Sequence, residues 1–347
     1  MPADPVKPAF LLLDASDKSE ALALAADRTG RPAHLLEKDA WVVWTLDTLF
    51  QAPFGEHLVF KGGTSLSKAW KIIDRFSEDI DVTYDIRALI PDLAPGEDGI
   101  PPNRSQAAKW TKEVRTRLPE VVSGTVMPVL ESALKKHGLD AKLELDGANL
   151  QIEFTPAASG SGYVKPVILV EFGARSTGEP ATEVEITCDA APSLPDLLFP
   201  AAKVRAMSAE RTFWEKATAI HVFCCGGRNR GRPAFARHWF DLAQLQRAEI
   251  ASQAIADREL AKAVARHKTY FFRETTADGN VIDYDQAIDG GLKLVPGKDR
   301  LEILRADYAA MIADGLLSGE VMSFENLLAM MSEIEGAANA GTKPTAS

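Results

Sequence analysis

The sequence predicts an α+β fold, with a mixed-sheet domain over residues 1–200, a helical domain over 201–336 and a disordered tail over 337–347. Three observations carry that prediction. Apolar residues recur at helical spacing in LLEKDAWVVWTLDTLF, residues 35–50. Short runs of strand character cluster between residues 57 and 188. From residue 208 onward the pattern is helical again.

Taken in order, residues 1–30 are mixed and Ala-rich, a loose arm followed by a helix. The 35–50 stretch is an amphipathic helix. HLVF at 57–60 reads as a strand entering a tight turn at Lys61-Gly62-Gly63. Thr64 or Ser65 then caps a helix, SLSKAWKII, that ends near Asp74. Phe76 to Tyr84 alternates with period two and reads as the next strand. Residues 86–102, rich in Pro, Gly and Asp, form a loop. A helical stretch covers 104–137, interrupted near Pro119 and Pro128. Strands follow at 141–146, 149–155, 164–173 and 181–188, and the domain boundary falls near 195–207. The helical half contains a polar loop at 226–233 and a turn-rich patch at 274–298. The tail AANAGTKPTAS is disordered by composition. No internal repeat is present.

Composition narrows the function classes. With 46% apolar and 25% charged residues, the 347-residue chain reads as a soluble globular protein. Its formal charge of -10 excludes a globally basic surface, so any polyanion contact must come from a local patch. Cys188, Cys224 and Cys225 match neither a disulfide framework nor a zinc site and read as buried free thiols. The apolar stretch Ala9 to Leu13 is too short for a signal peptide, and no run reaches membrane-spanning length. The expected location is cytoplasmic, with no membrane partner.

The chemistry concentrates in RFSEDIDV, residues 75–82. On a strand, alternate side chains share a face, so Ser77, Asp79 and Asp81 point one way. Two carboxylates two residues apart suit Mg²⁺, which takes one or two carboxylates plus phosphate oxygens. The plain alternative is an acidic, solvated strand face. Upstream, Lys61-Gly62-Gly63-Thr64-Ser65 follows a strand and opens a helix. Its glycines permit close backbone approach, and free N–H groups at a helix start favour phosphate. GGTSLSK lacks the P-loop spacing. A Gly-Gly-Thr-Ser turn, one helix, and then D-x-D on the next strand together match the nucleotidyltransferase-fold signature, in which the turn holds a triphosphate and the strand holds the metal.

The stretch LVFKGGTSLSKAWKIIDRFSEDIDV strongly resembles the AbiEii/AbiGii toxin family of nucleotidyltransferases, which includes MenT-type toxins. LEKDAWVVWTLDTLF, RTFWEKATAIH and ARHWFDLAQL resemble the family's helical motifs, so the resemblance covers roughly 35–245. It implies a metal-dependent enzyme that moves a nucleoside monophosphate from an NTP to an acceptor. It further implies the toxin of a bacterial type IV toxin–antitoxin or abortive-infection system, with tRNA as the acceptor and a separate antitoxin encoded beside it. The acidic charge departs from what an RNA-binding chain would advertise. A small-molecule, drug-modifying nucleotidyltransferase and a noncatalytic NTP-binding module are the alternatives.

Further site residues follow. Glu171, at the end of the apolar run VKPVILVEFG, is the candidate third carboxylate, either as metal ligand or base or as an ion-pair partner of Arg175. Glu153 and Glu185 are weaker competitors. Lys216 in RTFWEKATAIH reads as solvated from its surroundings alone; the resemblance makes it a functional lysine, a point-charge ligand for a triphosphate. The resemblance likewise places Asp241 near the nucleotide, against a helix ion pair with Arg237. Arg228, with Arg230, Arg232 and Arg237, concentrates positive charge that could grip a triphosphate or an RNA backbone, or simply face solvent. Lys61 joins the nucleotide-binding set, and Ser77, beside the metal if the strand register holds, either positions a phosphate or simply pairs on the sheet. His221 and His238 read as helix residues, not metal ligands.

Overall fold

The computed structural model describes residues 7–75, 77, 79–158, 165–227, 235–276, 278–313, 317 and 321–340. They fall into two units. One comprises residues up to Ala69 with Glu78–Leu93 and Lys112–Ala206; the other comprises Trp70–Ser77, Ala94–Thr111 and Met207 onward. The second unit thus takes two segments from the first half of the chain, which a linear division at residue 200 does not represent.

The first unit opens with α1 (Ala15–Thr29), where the Asp14 carboxylate accepts the Asp17 N–H and Gly30 closes the helix in the left-handed region. α2 (Ala33–Gln51) is the helix that the apolar spacing predicts, burying Leu36, Trp41, Leu46 and Leu49. β1 (Leu58–Lys61) runs directly into α3 (Gly62–Lys68). That helix is shorter than the predicted one, and neither Thr64 nor Ser65 caps it. Lys61 holds the N-cap position without a side-chain bond.

β2 (Ile80–Tyr84) begins four residues later than the predicted strand, and positions 76 and 78 lie outside the described residues. Arg75, five residues before the strand, is committed to a buried ion pair with Asp241 in the second unit. Asp85 caps the single turn of α4 (Ile86–Leu89), which lies inside the predicted loop. α5 (Arg104–Val121) and α6 (Met127–His137) are joined by a π-helical turn, Val122–Val126. The interruption therefore sits between Pro119 and Pro128, where the Met127 N–H reaches back to the Val122 carbonyl.

β3 (Ala141–Asp146), β4 (Asn149–Phe154), β5 (Val167–Gly173), β6 (Ala181–Thr187) and β7 (Ala201–Met207) complete a seven-stranded sheet of order β3-β4-β5-β2-β1-β7-β6. β1 pairs antiparallel with β2 and parallel with β7, and β2 pairs parallel with β5, so the sheet is mixed as predicted. β7 was read only as a boundary. Its signal was present: in AAKVRAM, Ala202, Val204 and Ala206 are buried at period two. The expected strands at 149–155, 164–173 and 181–188 each lose one to three terminal residues.

The second unit is helical. It contains α7 (Ala209–Cys224), α8 (Arg237–Arg247), α9 (Ile250–Ala256), α10 (Arg258–Phe271), α11 (Tyr284–Gln286), α12 (Lys298–Ala313) and α13 (Phe324–Ala340). Trp214 and Trp239 are fully buried at its centre. Each indole N–H has a carbonyl partner, Ala254 at 2.9 Å and Leu294 at 2.8 Å. α13 corrects the predicted tail: residues 337–340 are helical. Ala338 is buried, and the Asn339 amide both accepts from the Leu292 N–H and donates to the Leu292 carbonyl. Positions 341–347 lie outside the described residues. All three cysteines are free; Cys188 is buried and Cys224 and Cys225 are half-buried. Among the described residues, no helix is long and apolar enough to cross a membrane.

Candidate functional site

The glycine bend and the acidic strand meet in the first unit. β1 and β2 pair so that Lys61 lies opposite Asp81, and the parallel pairing of β2 with β5 places Glu171 opposite Asp81 on the other side. β4 continues the row with Asn149 opposite Glu171. Paired residues share a sheet face, so Lys61, Asp81, Glu171 and Asn149 form one row across it. The Lys61 Nζ stands 3.8 Å from Asp81 Oδ1. Asp81 is half-buried and Glu171 exposed.

Gly62 has φ of +81°, and a Cβ on it would lie 2.1 Å from Asp81 Oδ2. The site therefore needs glycine twice, for the left-handed backbone and for the space the carboxylate fills. Two residues on, the Thr64 hydroxyl donates to the Asp79 carbonyl, tying the start of α3 to the chain entering β2. The Ser65 hydroxyl donates to the Gly62 carbonyl at 2.9 Å. Thr64, Ser65 and Gly63 are buried, so these hydroxyls brace the bend rather than cap the helix.

Neither Ser77 nor Asp79 lies within β2, which begins at Ile80, so the shared strand face expected of them with Asp81 is not formed by the strand itself. Asp79 adjoins β2 in the first unit, and Ser77 belongs to the second. Glu153 and Glu185 are exposed on β4 and β6. Arg228, Arg230 and Arg232 lie outside the described residues.

The second unit contains a buried charge cluster. Asp241, on α8, is fully buried, with its Oδ1 2.7 Å from Arg75 Nε and its Oδ2 2.8 Å from both Arg75 Nη2 and Lys216 Nζ. Lys216, on α7, and Arg75 are themselves buried. Burial alone would raise the Asp241 pKa, but the two cations outweigh it and hold the carboxyl well below its usual range. Such a group is a weak proton acceptor. The expected local partner was Arg237; the pairing found here is with Arg75 and Lys216. Nearby, burial lowers the His221 pKa to about 4, and its Nδ1 accepts the Lys293 N–H at 3.1 Å. His238 is likewise held neutral by burial. Neither histidine takes part in a metal cluster among the described residues.

Among the described residues, no three His, Cys, Asp or Glu side chains gather into a complete cage for a metal ion. Mg²⁺ does not require one, because it completes its shell with water and substrate phosphate. A half-buried carboxylate at Asp81, with Glu171 across the strand and Asp79 two residues earlier, fits that demand. Sequence reasoning missed a further cluster, buried Lys68 and Asp39 with half-buried Asp189, although Lys68 lies within the FKGGTSLSK motif itself.

No curated protein matches the sequence. Among solved structures, the chain is similar to MenT4, a nucleotidyltransferase toxin from Mycobacterium tuberculosis H37Rv, with a TM-score of 0.48 and 17% identity over 91% of this chain and 89% of that one. The family described as nucleotidyl transferase AbiEii toxin, type IV TA system, matches residues 44–330. That span includes the glycine bend, the acidic strand and the Lys216–Asp241 helices, so the chain belongs to the AbiEii nucleotidyltransferase toxin family of type IV toxin–antitoxin systems.

Proposed function

We propose that this nucleotidyltransferase is metal-dependent and transfers a nucleoside monophosphate from an NTP to a hydroxyl of tRNA, as the toxin of a pair whose antitoxin is encoded nearby. The observation that carries this reading is the packing of the Asp81 carboxylate against Gly62, which makes the bend and the acidic strand one structural piece. Asp79 and Asp81 would hold Mg²⁺, which needs only one or two carboxylates, and Glu171, opposite Asp81 on β5, would serve as the base. Bound there, the ion offsets the charge of the triphosphate and of the departing pyrophosphate.

The remaining roles fall to the chain's own groups. Backbone N–H groups of Gly62 to Ser65 hold triphosphate oxygens, with Lys61 supplying a neighbouring positive charge. The acceptor hydroxyl oxygen attacks the α-phosphorus, its proton passes to Glu171, and pyrophosphate leaves. The family resemblance assigns Lys216 to the phosphates, and Asp241, 2.8 Å from its Nζ, acts as a positioning residue that aims it. Ser77 and Arg228 are assigned to the phosphates by their motif and their charge.

The test is incubation with each α-labelled NTP, Mg²⁺ and total tRNA, comparing wild type with Asp79→Ala and Asp81→Asn. Label on tRNA with wild type and at least about 10²-fold less with either variant is the expected result. Label on a small acceptor but not on tRNA would replace tRNA by a small molecule. Nucleotide binding with no transfer to either acceptor would leave a noncatalytic NTP-binding module.

A further inference from the structure

α3 is a helix of seven residues with no side-chain cap at its start. Helices that short are not stable on their own, so something else must fix its position. At its far end Lys68 is buried, and its Nζ lies 2.6 Å from Asp39 Oδ1 on α2 and 2.7 Å from Asp189 Oδ1, just after β6. The network closes on itself. Asp39 Oδ2 accepts the Asp189 N–H at 2.7 Å, and Asp189 Oδ2 meets Arg31 Nη1 at 2.6 Å.

A buried ion pair of this kind is poor at raising stability, because desolvation cancels most of the attraction, while breaking it by removing one partner is costly, so its two ends stay together. The geometry at stake is that of the bend. α3 carries Gly62, against which the Asp81 carboxylate packs, and Thr64, which holds the Asp79 carbonyl. The carboxylate lies directly against the glycine, 2.1 Å from where a Cβ would stand, so the position of Gly62 decides where Asp81 Oδ2 can sit.

We infer that Lys68, clamped by Asp39 and Asp189, is a positioning residue for the acidic strand: it anchors α3 so that Gly62 and Thr64 hold Asp81 and Asp79 in ligand geometry. The inference rests on the reading of Asp79 and Asp81 as metal ligands. Removing the clamp while keeping the fold loosens the metal site without touching a ligand.

The experiment measures Mn²⁺ binding to the full chain by electron paramagnetic resonance, alongside thermal unfolding and the KM for NTP. Wild type should bind Mn²⁺ and Asp81→Asn should not; failure at this step removes the metal reading and this inference with it. The charge-neutral double variant Asp39→Asn/Lys68→Met should stay folded, bind Mn²⁺ about tenfold more weakly and show a raised KM, with Lys68→Arg recovering most of both. Should the double variant not fold, Asp189→Asn retains the Lys68–Asp39 pair and should show a smaller weakening of the same sign. A folded clamp variant whose Mn²⁺ affinity stays within twofold of wild type overturns the inference while leaving the metal reading intact.

Discussion

Gly62 shows how a single position can be demanded by two kinds of physics. Its φ of +81° penalises any side chain, and the Asp81 carboxylate occupies the volume a Cβ would need. Gly62→Ala should cost about 1–3 kcal/mol of stability in urea unfolding. It should reduce transfer by a much larger factor than that cost implies, since the carboxylate end is the part free to move aside. Asp241 poses the opposite problem. Asp241→Asn leaves Arg75 and Lys216 buried without a counter-charge, so it should destabilise the protein by about 3–5 kcal/mol in the same assay. His221 sets a pH window. Its folded pKa of about 4 lies below the ordinary 6.5, so the unfolded chain binds the extra proton first. Its contribution is therefore complete above pH 6.5 and is lost as pH falls towards 4, by up to about 3 kcal/mol. His221→Gln should flatten the acid side of a Tm-against-pH curve. The glycine bend and the strand carrying Asp81 are legible as structure, because turn chemistry and alternation are local. The partners of Asp241 and Lys68 were not, because Arg75 lies 166 positions from Asp241 and Asp189 lies 121 from Lys68.

Elements were legible where periodicity was strong. The helix predicted over 35–50 spans Ala33–Gln51, and the hairpin strand at 141–146 has its predicted ends. They were less legible where tertiary contacts override propensity. The run SLSKAWKII looks helical throughout, yet α3 stops at Lys68, where two carboxylates hold the side chain, and Trp70 donates its indole N–H to the Met207 carbonyl at 2.9 Å. β7 escaped because alanines carry its buried face and give a weak apolar signal. α13 extends into a stretch whose composition suggests a loose tail because Asn339 bonds both polar groups of the Leu292 backbone. Asn339→Ala removes both bonds and should lower stability by about 1–3 kcal/mol, with hydrogen exchange rising first at the Leu292 amide.

At the scale of the whole molecule, a charge of -10 means that the overall field opposes a polyanion, so RNA affinity has to be local and specific. Under the proposed tRNA reading, unrelated duplex DNA should therefore compete poorly with tRNA, and the KM for tRNA should rise only shallowly between 50 and 200 mM salt, in keeping with few phosphate contacts. A steep dependence would instead require many such contacts and would argue against this reading. The interleaving of the chain also bears on how the protein can be dissected. Severing it between residues 206 and 207 looks natural on a linear map, but the downstream piece would lack residues 70–77 and with them Arg75. Asp241 would then face Lys216 alone in an interior shaped for two cations. Such a piece should behave as an incomplete body that recovers its order only when peptides carrying the Arg75 segment and residues 94–111 are supplied in trans.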